Sequence, residues 1–107
     1  MGKGPGNMGG FLKQAQQMQK KMAETQENLK NRVVEGTAGG GMVSAMVNGH
    51  QEVLKLKIEQ QVVDPDDVEM LEDLILAAIN QAMKKSKDLA KEEMAKVTGG
   101  LSIPGMM

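Results

Sequence analysis

Apolar and small residues fall into register at Phe11, Ala15, Met18, Met22, Thr25 and Leu29, with steps of four, three, four, three and four. This spacing lays them along one stripe of an α-helix. Lys13, Gln14, Gln17, Lys20, Lys21, Glu24, Gln26 and Asn28 occupy the remaining surface. A helix over 11–31 is predicted, and a 3-4 rhythm lasting more than two heptads calls for a partner helix along the stripe. Residues 1–10 hold five glycines and one proline, a composition that predicts a loose leader.

Between Arg32 and Glu59 the period drops to two. Val33 and Val34 open a strand that Gly36 weakens, and Gly39, Gly40 and Gly41 supply the positive-φ residues of a tight reversal. A second strand over 42–48 puts Val43, Ala45 and Val47 on one face and Met42, Ser44 and Met46 on the other. Asn48-Gly49 is a strong two-residue hairpin signal. In a third strand, over 52–59, Leu54, Leu56 and Ile58 point inward while Val53, Lys55, Lys57 and Glu59 point outward. Together these form a three-stranded antiparallel meander.

Asp64-Pro65 then reads as N-cap and first helical residue, with Asp66, Asp67 and Glu69 favouring the positive end of a helix dipole. An apolar stripe follows through Val68, Leu71, Ile75, Ala78, Ala82, Leu89 and Val97, widened by Leu74, Ile79, Met83, Ala90 and Met94. No proline or glycine interrupts it before Gly99. If continuous over 65–98 rather than broken, such a helix is about 50 Å long. A compact domain of this size has a radius of gyration of only about 13 Å, so the helix must project beyond its sheet. The fold class is α+β, a single domain over 11–98, with residues 99–107 forming a flexible or docked tail. Leu71, Leu74, Ile75, Ala78 and Ile79 are assigned to the core or to an interface between copies, and Ala77, Ala78 and Ala82 allow another element to approach closely.

Composition narrows the chemistry. The 107 residues contain no cysteine, which removes disulfides and thiolate metal sites, and one aromatic, Phe11, against 11 methionines. No stacking platform for single-stranded nucleic acid can be assembled from this. The longest apolar run, Leu74 to Ile79, is far shorter than a membrane span, and the amino terminus lacks the apolar stretch of a secretory signal. A cytoplasmic protein without membrane contact is expected.

The formal net charge is only -1, but it is unevenly distributed. Residues 1–34 sum to +4, residues 35–79 to -7 and residues 80–107 to +2. Lys13, Lys20 and Lys21 on the first helix, with Lys84, Lys85, Lys87 and Lys91 on the last, therefore form candidate phosphate contacts carried away from an acidic hub. Specific base reading has less support, since Arg32 is the sole arginine.

Other chemistry finds no support. Gly4-Pro5-Gly6-Asn7-Met8-Gly9 matches G-x-G-x-x-G literally but lacks a preceding strand. Asp64, Asp66 and Asp67 begin like a calcium loop but have Glu69 where its glycine is required. His50, the only histidine, sits by a turn with no nucleophile organised around it. No enzymatic activity, cofactor or small-molecule substrate is expected.

Several segments together resemble the YbaB/EbfC family of bacterial nucleoid-associated proteins. They are Lys13 to Met22, Val47-Asn48-Gly49, Met70-Leu71-Glu72-Asp73-Leu74-Ile75 with Ala77, Ala78, Asn80 and Ala82, and the closing Thr98-Gly99-Gly100-Leu101 with Pro104-Gly105-Met106. The resemblance runs in order over nearly the whole chain. It implies a tweezer-like homodimer with projecting helices that binds double-stranded DNA, organises the nucleoid and regulates gene expression. A contrasting reading from the residues alone is a helical-arm scaffold that grips polypeptide through soft, methionine-rich surfaces.

Overall fold

The computed structural model describes residues 3–98, with side chains from Gly9 onward. The order of elements is helix α1 (Lys3–Lys30), strands β1 (Val33–Ala38), β2 (Val43–Asn48) and β3 (Val53–Ile58), a 3-10 turn at Gln60–Val62, and helix α2 (Val68–Thr98). The sheet is an antiparallel meander in the order β1-β2-β3. Its reversal at Gly39, Gly40 and Gly41 takes φ values of 63°, 68° and 94°, which a side chain would strain.

Two layers make the core. Val43, Ala45 and Val47 of β2 face Ala78 and Ala82 of α2, all five without exposed surface. Val34 and Ala38 of β1 flank them, as do Leu71, Leu74, Ile75, Ile79 and Met83 of α2. Each buried valine contributes about 1.5–3 kcal/mol. The small residues set the spacing between the layers. A Cβ on Gly36 would overlap the Ala78 carbonyl oxygen and the Ala82 amide nitrogen, so α2 crosses β1 at backbone contact. Gly36 weakens its strand locally and in return admits the helix.

Both helices depart from their sequence pattern at their starts. Helix α1 begins at Lys3, within the segment whose glycines predict a loose leader. Pro5 is tolerated there because the first turn's amides have no intrahelical acceptor. Residues 99–107, expected to be flexible or docked, lie outside the described residues. Helix α2 starts three residues beyond Pro65. Asp64 accepts a hydrogen bond from the Asp66 amide at 2.9 Å, and the Asp67 amide returns to the Asp64 carbonyl at 3.0 Å, closing a turn around Pro65. Asp67 is the N-cap, accepting the Met70 amide at 3.2 Å.

The inward face assigned to β3 is only partly inward. Ile58 pairs with Val43 and is half-buried, but a register shift between Met46 and Val47 leaves Leu54 without a direct partner. Leu54 and Leu56 are 53% and 38% exposed, because α2 packs chiefly on β1 and β2.

The molecule measures 79 × 25 × 16 Å with a radius of gyration of 21.1 Å, far from compact. Beyond the sheet, α2 runs back alongside the carboxyl-terminal turns of α1, with Gln26 Nε2 placed 3.8 Å from Met94 Sδ. The remainder of α1 projects as an arm. Replacing Gly36 with alanine should destabilise the fold by about 3 kcal/mol, the upper part of the usual overpacking range, read as a lower urea midpoint at unchanged slope.

Candidate nucleic-acid interface

The root of the arm is fixed by one buried polar side chain. Asn48, 2% exposed, ends β2 and uses both ends of its amide. Its Nδ2 donates to the Lys30 carbonyl at 3.2 Å and to Glu52 Oε1 at 2.7 Å. Its Oδ1 accepts the amides of His50 and Glu52 at 2.9 and 3.0 Å. Its carbonyl accepts Ser86 Oγ of α2 at 2.6 Å, and that hydroxyl accepts Gln51 Nε2 at 2.9 Å. The network thus ties α1, the β2–β3 turn and α2 at one point, with every buried side-chain polar atom among the described residues partnered.

The turn itself differs from the two-residue hairpin expected at Asn48-Gly49. Gln51, at φ 60°, is the left-handed residue, and the connection between the strands spans 49–52. Gly49 is required for a different reason: a Cβ there would lie 2.6 Å from the Leu29 carbonyl oxygen, which the Gly49 amide bonds at 2.9 Å. His50 Nε2 lies 2.6 Å from the Gln26 carbonyl, a second tie from turn to α1.

All seven candidate lysines are exposed. Lys84, Lys87 and Lys91, three and four residues apart, lie on the side of α2 away from the sheet. Lys85 is turned toward β1, donating to the Glu35 carbonyl at 2.8 Å. Lys13 and Lys20 are seven residues apart on α1, opposite the Phe11–Leu29 stripe, with Lys21 on its flank. They stand about 24 and 13 Å outward from Leu29. The α2 group thus lies beside the sheet, where Lys85 meets β1 and Ser86 meets the end of β2, and the α1 group stands on the arm. None of the seven is paired with a carboxylate among the described residues.

Arg32 and Lys96 are differently engaged. Lys96 lies 2.9 Å and Arg32 3.8 Å from Glu93. The hydrogen bond from Lys96 holds the Glu93 carboxyl below its ordinary value; desolvation opposes this, and the charges of Lys96 and Arg32 add to the lowering. The same hydrogen bond raises Lys96 above its ordinary value. Any stabilisation from Glu93 is present above the carboxylate range and is lost as pH falls through it.

Of the residues assigned to core or interface, Ala78 is fully buried, and Leu71, Leu74, Ile75 and Ile79 are half-buried against their own sheet. Ala82 makes the close approach with Ala78, whereas Ala77 is exposed. Sequence reasoning missed Ser86, Gln51 and the network role of Asn48. Ser86 was discoverable: it continues the Ala78–Ala82 spacing between two lysines.

Fold and charge define an elongated α+β protein whose projecting helices carry unpaired lysines. The YbaB/EbfC DNA-binding family model matches residues 3–101, and the chain belongs to that family. Among its relatives, a nucleoid-associated protein of Thermoanaerobacter pseudethanolicus is 53% identical over 94% of this chain and 90% of its own. One from Clostridium acetobutylicum is 52% identical over 98% and 94%. The crystal structure of an uncharacterized protein from Helicobacter pylori superposes with a TM-score of 0.66 at 28% identity, over 79% of this chain and 86% of that one. The family is a DNA-binding one and not a family of enzymes.

Replacing Asn48 with alanine should cost about 2–3 kcal/mol by leaving buried donors and acceptors unpaired. Hydrogen exchange should then accelerate at residues 29–32 and 48–52 more than within β1.

Proposed function

We propose that the protein binds double-stranded DNA as a homodimer, mainly through the phosphate backbone, and thereby alters DNA conformation in the bacterial nucleoid. Charge placement carries this reading. No acidic residue precedes Glu24, while Lys13, Lys20 and Lys21 stand exposed on α1 and Lys84, Lys87 and Lys91 on α2. Phosphates would meet this cationic arm while the acidic hub repels them, a distribution that favours contact at the arms. Nucleoid organisation, an effect on gene expression and a cytoplasmic location follow from the same reading and from the names of the relatives.

Dimerisation is supported by apolar surface left uncovered. Val53, Leu54 and Leu56 of β3, with Val63, Val68 and Met70 after it, are all at least 38% exposed. They follow an edge strand with an unpaired backbone rim, a surface that a second copy would cover.

Duplex affinity should fall steeply between about 50 and about 200 mM NaCl. Replacing Lys84, Lys87 and Lys91 with alanine should flatten the plot of log affinity against log salt by roughly 0.9 per lysine. Binding indifferent to salt and to these substitutions would overturn backbone recognition. In sedimentation, the wild-type chain should run as a dimer and a Leu54→Glu, Leu56→Glu double variant as a folded monomer. A wild-type monomer at micromolar concentration would remove the dimer reading.

A further inference from the structure

One side of the arm combines charge with neutral hydrogen-bonding groups. Gln16, Gln17 and Lys20 follow Lys13 at three, four and seven residues, which places all four on a single side of α1. That side is opposite the stripe on which Met18 and Thr25 are half-buried and Leu29 is buried, and all four side chains are exposed. One turn outward the same side holds Gly9 and Gly10, and a Cβ at either would meet nothing within 4 Å. Glycine inside a helix costs conformational entropy. Packing within the chain does not call for these two glycines; a surface brought against the helix backbone would. Inward along this side, Glu24 is the first carboxylate.

We propose that this side of α1 lies in the major groove of the bound duplex, where Gln16 and Gln17 read adenine; this rests on the DNA-binding reading above. Gln16 is ten residues, or about 15 Å, outward from Gln26, where α2 lies alongside, so the arm enters as a single helix. A helix about 10–12 Å across fits the major groove, which is about 12 Å wide, and is too broad for the minor groove at about 6 Å. Gly9 and Gly10 let its backbone come close to the groove. Lys13 and Lys20, about 10 Å apart along the axis, extend on flexible stems to the phosphates that border it. Between them a glutamine amide matches adenine: its NH2 group donates to N7, and its carbonyl oxygen accepts from the N6 amino group. Guanine offers two acceptors instead and is best met by a guanidinium. Arg32, the sole arginine, is held by Glu93 at the base of the arm.

Replacing every adenine of a mixed-sequence duplex with 7-deazaadenine removes the N7 acceptor and leaves phosphates and base pairing in place. By anisotropy of labelled DNA, the wild-type chain should bind the substituted duplex roughly 5- to 150-fold more weakly, the discrimination that a bidentate base contact supplies. A Gln16→Ala, Gln17→Ala double variant should bind both duplexes alike, at the weaker affinity and with the wild-type salt slope. Its helicity by circular dichroism should be undiminished, since alanine favours the helix. Lys13→Ala with Lys20→Ala should instead weaken both duplexes by the same factor and reduce the salt slope by about 1 per lysine. Gly9→Leu with Gly10→Leu should weaken duplex binding while raising helicity. Equal wild-type affinity for the two duplexes, still dependent on salt, overturns base reading and leaves backbone binding standing. Discrimination that survives in the glutamine variant overturns the assignment to this helix, and leucine variants that bind as the wild type does overturn the close approach. A wild-type chain with no affinity for duplex removes both readings.

Discussion

The buried amide of Asn48 is the point on which the geometry of this molecule depends. It joins the end of α1 through the Lys30 carbonyl and the β2–β3 turn through Glu52 and His50, while the backbone carbonyl of the same residue accepts the Ser86 hydroxyl of α2. A long helix leaving a small sheet has few contacts to fix its direction. Apolar packing at Leu29 would set its distance and leave its angle soft. Directional hydrogen bonds to three separate elements fix the angle, and the backbone approach of Gly49 to Leu29 shortens the lever arm at its base. A displacement of the network by an ångström would swing the far end of α1 by several times as much.

Gly36 plays the matching part in the middle of β1. By letting α2 rest on β1 at backbone contact, it commits that helix to β1 and β2 and leaves β3 uncovered. The exposed edge of β3 is thus a consequence of that packing choice. The same helix carries Glu69, Glu72 and Asp73 near the hub and Lys84, Lys87 and Lys91 toward the arm, so its chemistry changes sign along its length. Near-neutral net charge conceals a polar molecule with an acidic body and basic extensions.

Local pattern determined a good deal. Periods of 3.6 and 2.0 located both helices and all three strands, and alternation in β2 identified Val43, Ala45 and Val47, which are fully buried. The three glycines at 39–41 marked a reversal that needs positive φ. The length of α2 required it to outrun its sheet, and segment-wise charge made the lysines candidates before any geometry was known. These are short-range properties, or sums over them, and neighbouring residues suffice to specify them.

Competing local turns and contacts between distant residues decided the rest. Asp64-Pro65 resembles a helix start, but a local turn competes for the same groups and hands the cap to Asp67. Asn48-Gly49 resembles a two-residue hairpin, but Leu29, twenty residues earlier, selects Gly49 for space and moves the left-handed residue to Gln51. Leu54 and Leu56 alternate like core residues, yet whether an inward position is covered depends on where a helix crosses, and α2 crosses elsewhere. The sequence by itself determined the elements, the composition of the core strand and the charge of each segment, because those follow from neighbours along the chain. Which apolar face stays open, and where the arm points, belonged to tertiary structure, because both depend on backbone contacts between residues 20 to 46 positions apart.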